Sequence, residues 1–291
     1  MSNLKDLRVR IISVKSTRKI TMAMKMVAVS KLRRAQVAVD QIKQYVVCME
    51  RILVRLIRDY SDSSRLIVGT GKNLVHLIIV ITSDRGLCGG FNGSVVNSVR
   101  ELVNNLQSSG KIIKLMFIGN KGRDQLKRDF QKSFVEIFDK IEYQSVNIDN
   151  VNRVGEKIIQ MFEGGEFDVC TIIYNHFKSA LSQEVIQYQL IPFFVTEFSE
   201  DFRNDSVAVY EYEPSGEAIL DKLLQRNVTI QIFRIILESN AAEQRARMMA
   251  MDNATRNADE MIDTLTIRYN CSRQAKITTE LTEIISGAEA L

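Results

Sequence analysis

Stepping alternately three and four residues from Leu4 visits Leu7, Ile11, Val14, Arg18, Thr21, Lys25, Ala28, Leu32, Ala35, Val39, Ile42, Val46, Met49, Leu53, Leu56 and Tyr60. Fourteen of these seventeen positions are apolar. A stripe kept at 3.5 residues per repeat over so long a stretch predicts a left-handed coiled coil, because a straight helix would carry the stripe around its axis. At ~1.5 Å per residue the predicted helix is roughly 85 Å long. The breakers agree: thirteen of the fourteen glycines and both prolines lie between Gly69 and Gly216, and only Gly287 stands outside. Residues 1–68 and 217–286 are therefore uninterrupted.

The second long segment supplies a partner. Leu220, Leu224, Val228, Ile232 and Ile235 are followed by Ala242, Ala246, Ala250, Ala254 and Ala258, then Met261 and Leu265. One helix enters the central region and the other leaves it, so side-by-side pairing must be antiparallel. Matching residue 59 with residue 215 places residue i opposite about 274 minus i, which sets Met22, Met24 and Met26 against Met248, Met249 and Met251. The same matching leaves "SRQAKITTELTEIISGAEAL" projecting about twenty residues, or ~30 Å, beyond its partner. A lone helix of that length is marginal in water. Its Ile277, Leu281, Ile284 and Ile285 therefore call for a second protein to pack against.

Between the helices, strand-like "LVHLIIVIT", "KIIKLMFIG" and "FDVCTIIYN" alternate with helix-like "GSVVNSVRELVNNLQSS", "NKGRDQLKRDF" and "DNVNRVGEKIIQMF". This alternation predicts an α/β layer with a mainly parallel sheet, with "SFVEIFDKIE", "EVIQYQLIPFF" and "VAVYEYEP" as candidate antiparallel or edge strands. The expected fold class is thus an antiparallel coiled coil of the two terminal helices, 1–68 and 217–291, plus a central α/β domain, 69–216.

Charge sharpens the picture. Residues 1–60 hold fourteen basic against four acidic residues, and no acid occurs between Leu7 and Val39. Such a run fits nucleic acid, an anionic membrane or an acidic protein. No aromatic residue precedes Tyr45, which disfavours single-strand binding, and the basic residues surround the helix instead of lining one side. An acidic protein surface is the preferred partner; a basic coiled-coil nucleic-acid-binding protein is the alternative. Within the run, "ITMAMKMVAVSK" is apolar on nearly every face, which predicts a segment enclosed by surrounding walls.

Catalytic and metal chemistry find little material. Cys48, Cys88, Cys170 and Cys271 stand far apart, with no C-x-x-C pair, and His76 and His176 both fall in predicted strands, where they read as packed residues. The "SDRGLCGGFN" turn between strand and helix is rich in glycine but lacks G-x-x-x-x-G-K-[ST] and G-x-G-x-x-G. A backbone anion site there stays open; the preferred reading is a tight turn for close packing, with Asp84 and Arg85 as an ion pair. No apolar run approaches the ~18 residues of a membrane span. The start, "MSNLKDLRVRII", lacks the apolar core of a secretory signal and the lead of an organelle transit peptide, so the chain is expected to stay where it is made.

"KSTRKITMAMKMVAVSKLRRAQ", "SDRGLCGGFN", "EQRARMMAMDNATRNADEMI" and "YNCSRQAKITTELTEIISGAEAL" closely resemble the gamma subunits of F-type ATP synthases, and the resemblance covers essentially the whole chain. It implies a rotating central stalk whose coiled coil turns inside a hexamer of alpha and beta subunits. The α/β foot would sit with the epsilon subunit on the membrane c-ring. It also implies no active site, cofactor or metal of the chain's own, and a peripheral place on the cytoplasmic face of a bacterial inner membrane. By the same resemblance, Arg273 and Gln274 fall where the shaft hydrogen-bonds a beta-subunit loop, with Thr278 and Glu280 nearby. Met24, Lys25, Arg33 and Arg34 fall where it meets the acidic beta-subunit lever, and Arg247 lies in the family's coupling segment. Tyr210 and Glu213 are implied contacts to the ring. The cysteine-bearing insert of the photosynthetic forms is absent, so thiol control is not expected.

Overall fold

A computed structural model of the chain describes residues 4–60, 64–138, 148–177, 183–193, 213 and 215–289. They fall into two compact units, Ser30–Ala246 and the pair of segments Met1–Val29 and Arg247–Leu291. Helix α1, Leu4–Tyr60, carries Asp6 in its first turn and Arg58 in its last, both complementary to the helix dipole. It ends eight residues before the breaker-free stretch does, ahead of "SDSS", and a single turn, α2 (Arg65–Val68), follows. The C-terminal helix α6 runs Gly216–Glu289 and continues through Gly287. Ser215 Oγ accepts from the Ala218 N–H at its start, where the Tyr60 ring lies so close that a Cβ at 216 would push it aside.

In the larger unit β1 (Val75–Ile81), β2 (Ile112–Ile118), β3 (Phe134–Phe138), β4 (Val169–Phe177) and β5 (Gln183–Ile191) form one sheet in the order β3-β2-β1-β4-β5. The first four strands in that order pair in parallel and β5 is antiparallel. Two edge candidates thus separate: the "SFVEIFDKIE" strand joins in parallel, and "EVIQYQLIPFF" returns antiparallel. "VAVYEYEP" lies outside the described residues apart from Glu213.

Alternate residues of each central strand face two separate cores, as the period of two demands. Ile78 and Val80 pack with Val95, Val96 and Val99 of α3 (Phe91–Ser108) and Leu126 of α4 (Asn120–Phe130). Leu77, Ile79 and Ile81 face the opposite way, onto Val151, Val154 and Ile158 of α5 (Ile148–Glu163), Leu53 and Leu56 of α1, and Leu224, Val228 and Ile232 of α6. Helix α5 comes close to α6 at Gly155, where a Cβ would fall inside Thr229. The inner parts of α1 and α6 thus form one wall of the sheet's larger core. They are antiparallel there, with Tyr60 against Gly216 and Gln231 donating to Glu50.

The smaller unit is an antiparallel pair made from the outer parts of the same two helices. Arg18 meets Asp259, Thr21 meets Thr255 and Lys25 meets Asp252. These partner numbers add to 276 or 277, two or three above the value reached by matching residue 59 with 215. The ends that match are Tyr60 and Gly216, one residue later in the chain on each helix, which raises the sum to 276.

The facing methionine cluster does not form. Met22 and Met26 are exposed on the outer side of α1, while Thr21 and Ala28 are buried on the seam. Met22 and Met26 lie off the stripe that Arg18, Thr21, Lys25 and Ala28 define, so matching residue numbers across the pair does not bring them to the seam.

Candidate coupling surface

Around residues 18–27 the outer part of α1 is inside out. Arg18, Thr21 and Lys25 occupy three successive seam positions, whereas Ile20, Met22, Met26, Val27 and Val29 are exposed. At the seam Arg18 Nε lies 2.6 Å from Asp259 Oδ1 and Lys25 Nζ 2.5 Å from Asp252 Oδ1. The Thr21 and Thr255 hydroxyls are 2.8 Å apart. Thr21 also donates to the Arg18 carbonyl and Thr255 to that of Met251. Arg256 reaches the second oxygen of Asp252 at 2.9 Å. The Lys25 hydrogen bond, with Arg256 beside it, holds the Asp252 carboxyl below its ordinary value. Between Arg18 and Lys25 polar groups therefore satisfy one another across the helices, while Ile20, Met22, Met26 and Val27 point away.

Beyond Ser272 every described side chain of α6 is exposed. Ile277 is 47%, Leu281 54%, Ile284 68% and Ile285 58% exposed. Four large aliphatic side chains exposed along the last turns of a 74-residue helix form an apolar stripe with no cover among the described residues. Arg273 and Gln274 open this stretch, Thr278 donates back to the Gln274 carbonyl at 3.0 Å, and Glu280 pairs with Lys276 at 3.6 Å.

The other implied contact residues are dispersed. Met24 and Lys25 are half-buried, and Lys25 is engaged by Asp252. Arg33 and Arg34 are exposed in the larger unit, as is Glu213, and Arg247 is half-buried in the smaller one. Tyr210 lies outside the described residues. Sequence reasoning missed Asp252, Thr255 and Asp259 as the partners of the three residues that interrupt the stripe. The signal was available: Arg18 and Lys25 are seven apart, and so are Asp252 and Asp259.

The glycine turn is filled by its own side chains. Asn92 Oδ1 accepts from Ser83 N and Oγ at 3.0 Å each, and Asn92 Nδ2 donates to Ser83 Oγ at 2.8 Å and to Cys88 Sγ at 3.3 Å. Asn175 Nδ2 donates to the Phe91 carbonyl at 2.7 Å. Cys88 and Phe91 pack on Ala242 and Ala246 of α6. Small residues on α6 are what let the turn approach. Asp84 does not pair with Arg85; its Oδ1 instead accepts from the backbone and side-chain nitrogens of Asn120, at the start of α4. A strand-end carboxylate beside a helix N-terminus meets donors there that have no partner inside the helix.

The histidines also have local partners. His76 bonds Asn73 at 2.6 Å, and burial, with Lys111 nearby, lowers its pKa. His176 Nδ1 lies 2.9 Å from Glu238 Oε2, which also accepts from Tyr174 Oη at 3.2 Å. Among the described residues no group of histidine, cysteine and carboxylate side chains is placed to hold a metal ion.

A family model described as ATP synthase matches residues 3–291. The chain is 52% identical over 294 residues to the ATP synthase gamma chain of Paramagnetospirillum magneticum, and 52% identical over 299 residues to that of Rhodospirillum rubrum, with 100% of both chains covered in each case. The chain belongs to the ATP synthase gamma chain family. As such it is a non-catalytic subunit of the synthase and part of its central stalk, which decides against the nucleic-acid-binding alternative.

Among solved structures, a central-stalk and c-ring chain of Tetrahymena thermophila mitochondrial ATP synthase superposes with a TM-score of 0.63 at 28% identity, covering 81% of this chain and 99% of that one. A chain of the Euglena gracilis mitochondrial enzyme superposes with a TM-score of 0.67 at 19% identity, covering 99% and 94%, and speaks for the fold. No helix among the described residues is long and apolar enough to cross a membrane.

Proposed function

We propose that this chain is the rotating shaft that couples ion flow through a membrane c-ring to the nucleotide sites of the beta subunits. The observation that carries the reading is the apolar stripe Ile277, Leu281, Ile284 and Ile285, exposed on a helix end for which the described residues offer no cover. The collar of alpha and beta subunits would supply it. Functionally the chain divides into a shaft of 1–68 and 217–291 and a foot of 69–216, with epsilon and the c-ring at the foot and Tyr210 and Glu213 as ring contacts.

Arg273, Gln274, Thr278 and Glu280 are the proposed contacts to the beta-subunit loop, and Met24, Lys25, Arg33 and Arg34 those to the beta-subunit lever, with Arg247 in this chain's own coupling segment. A shaft performs no bond chemistry. It changes which beta-subunit conformation is lowest in free energy, and it does so only through contacts that differ between those conformations. An asymmetric helix pair turned inside a threefold collar supplies that difference, because each beta subunit faces another side of it. The place proposed for the chain is the cytoplasmic face of a bacterial inner membrane, held there peripherally by the complex.

The test is a disulfide from Gln274→Cys to a cysteine in the beta-subunit loop of the assembled enzyme. Rotation-coupled turnover should stop on oxidation and return on reduction. Turnover that stays coupled with the bond closed would defeat the assignment.

A further inference from the structure

The alanines of α6 recur at 242, 246, 250, 254 and 258, so sliding α6 by one helical turn lays alanine on alanine. In the smaller unit Ala258 is buried, and Ala250 and Ala254 are half-buried. A seam with that period discriminates weakly between the true register and one displaced by four residues, or ~6 Å. The inner core fixes the register where Tyr60 meets Gly216 and Gln231 meets Glu50; along the outer pair, more than twenty residues further out, the polar seam positions are what can hold it.

Three polar pairs interrupt the apolar stripe in the same unit: Arg18 with Asp259, Thr21 with Thr255, and Lys25 with Asp252. Displacing α6 one way sets Lys25 against Arg256 and Thr21 against Asp259, and only Arg18 finds a new acid, Asp263. Displacement the other way sets Lys25 and Thr21 against Met248 and Met251 and takes Lys25 away from Asp252. The Arg18–Asp259 pair is about half exposed, with side chains 48% and 46% accessible, so its attraction is modest. Discrimination comes from what the displaced registers bring together: cation against cation, or a charge against a thioether. A few polar residues at seam positions are known to specify register at some cost in stability.

We propose that this three-rung ladder is a register lock: Arg18, Thr21, Lys25, Asp252, Thr255 and Asp259 are positioning residues that hold α1 and α6 against axial slip by one turn. The lock is a property of the chain itself. Only its consequence rests on the shaft reading: a pair that slipped under load would lose the phase between the ring and the nucleotide sites.

The test uses the full-length chain with Cys48 and Cys271 replaced by serine and one cysteine pair added. Val14→Cys with Ile262→Cys reports the native register, and Val14→Cys with Thr266→Cys or Ala258→Cys reports a slip in either direction. On oxidation, the native pair should close about tenfold more than either displaced pair, the bias expected of a polar seam. In R18M/T21V/K25M the displaced pairs should rise to within about threefold of the native one, since the remaining seam is nearly periodic. R18D should do the same, and R18D/D259R should restore the bias, which a merely stabilising role would not predict.

A full bias retained in R18M/T21V/K25M, or no recovery in R18D/D259R, overturns the lock. If circular dichroism shows that the triple variant has lost its helix, R18D and R18D/D259R decide alone. The readout needs no partner subunit, so a failure of the chain to assemble with alpha and beta subunits would defeat the shaft reading and leave this result standing.

Discussion

Replacing Leu281 and Ile284 with serine should leave the free chain as stable as before and weaken its seat in the assembled enzyme by one to two orders of magnitude. The two side chains are 54% and 68% exposed, so more than half of each surface is still available for burial. Complete burial of a leucine or isoleucine is worth about 1.5–3 kcal/mol, which leaves about 1–2 kcal/mol for each remaining fraction. Ordering costs at an interface consume part of this, so about 1.5–3 kcal/mol for the pair, or roughly ten- to hundredfold in affinity, is a fair expectation. Serine lowers helix propensity by about 0.5 kcal/mol per site, a loss confined to an end that already lacks contacts.

Two measurements check this. The melting temperature of the free full-length chain should move by less than about 2 °C, and its affinity for an immobilised alpha–beta hexamer should drop. A melting temperature lowered by more than about 5 °C would show that the stripe packs on its own chain, and an unchanged affinity would show that the collar does not cover it. Either result refutes the reasoning.

Two further predictions concern the larger unit. The buried Asp168 carboxylate accepts from Thr70 Oγ1 at 2.6 Å and from the Leu74 and Val75 N–H groups at 2.9 and 3.0 Å. Burial by itself would raise its pKa, but these donors outweigh it and hold the group below its ordinary value. Asp168→Ala should therefore cost about 2–4 kcal/mol in urea unfolding at pH 7 by orphaning two N–H groups. Because the folded-state pKa is depressed, the ionised form's contribution is complete above the ordinary carboxylate value near 4 and fades as pH falls through the lower folded value. The gap between wild type and variant should narrow at pH 3; a constant gap would exclude the ionised form as its source. Leu53, fully buried where α1 meets α5 and α6, should cost about 2–5 kcal/mol when truncated to alanine, read in the same assay.

The architecture was legible because its signals are long-range averages. The segregation of glycine and proline locates both long helices, and the alternation of apolar runs with helix-period segments gives the sheet and its parallel core. The end of α1 at Tyr60 was not legible from breakers, since "SDSS" contains neither glycine nor proline yet follows directly on the helix. Nor was the partner of the glycine turn. It reads as a tight turn for close packing, and it is one, but its partners could not be read: Cys88 and Phe91 pack on alanines more than 150 residues away. Asp84 failed as an ion-pair partner of Arg85 for the same reason: its donors, on Asn120, arrive only when β2 is laid beside β1.

Register shows where the sequence held more than its apolar pattern revealed. Matching the helix ends depends on knowing where each helix stops, and an error of one residue at each end shifted the expected partners by two to three residues. Charges carry no such dependence. Arg18 and Lys25 are seven apart and interrupt the seam; Asp252 and Asp259 are the same distance apart on the opposing helix and opposite in sign. Antiparallel pairing of two heptad-spaced cations with two heptad-spaced anions has a single solution that satisfies both, and it puts residue i opposite 277 minus i, the value found for Arg18 and for Lys25. The seam positions that looked like defects in the coiled coil therefore contain the information that the alanine repeat lacks. Polar residues can be afforded at that place only because the hydrophobic ones they displaced, Ile20, Met22, Met26 and Val27, sit on the outer face, where an enclosing partner would recover their burial.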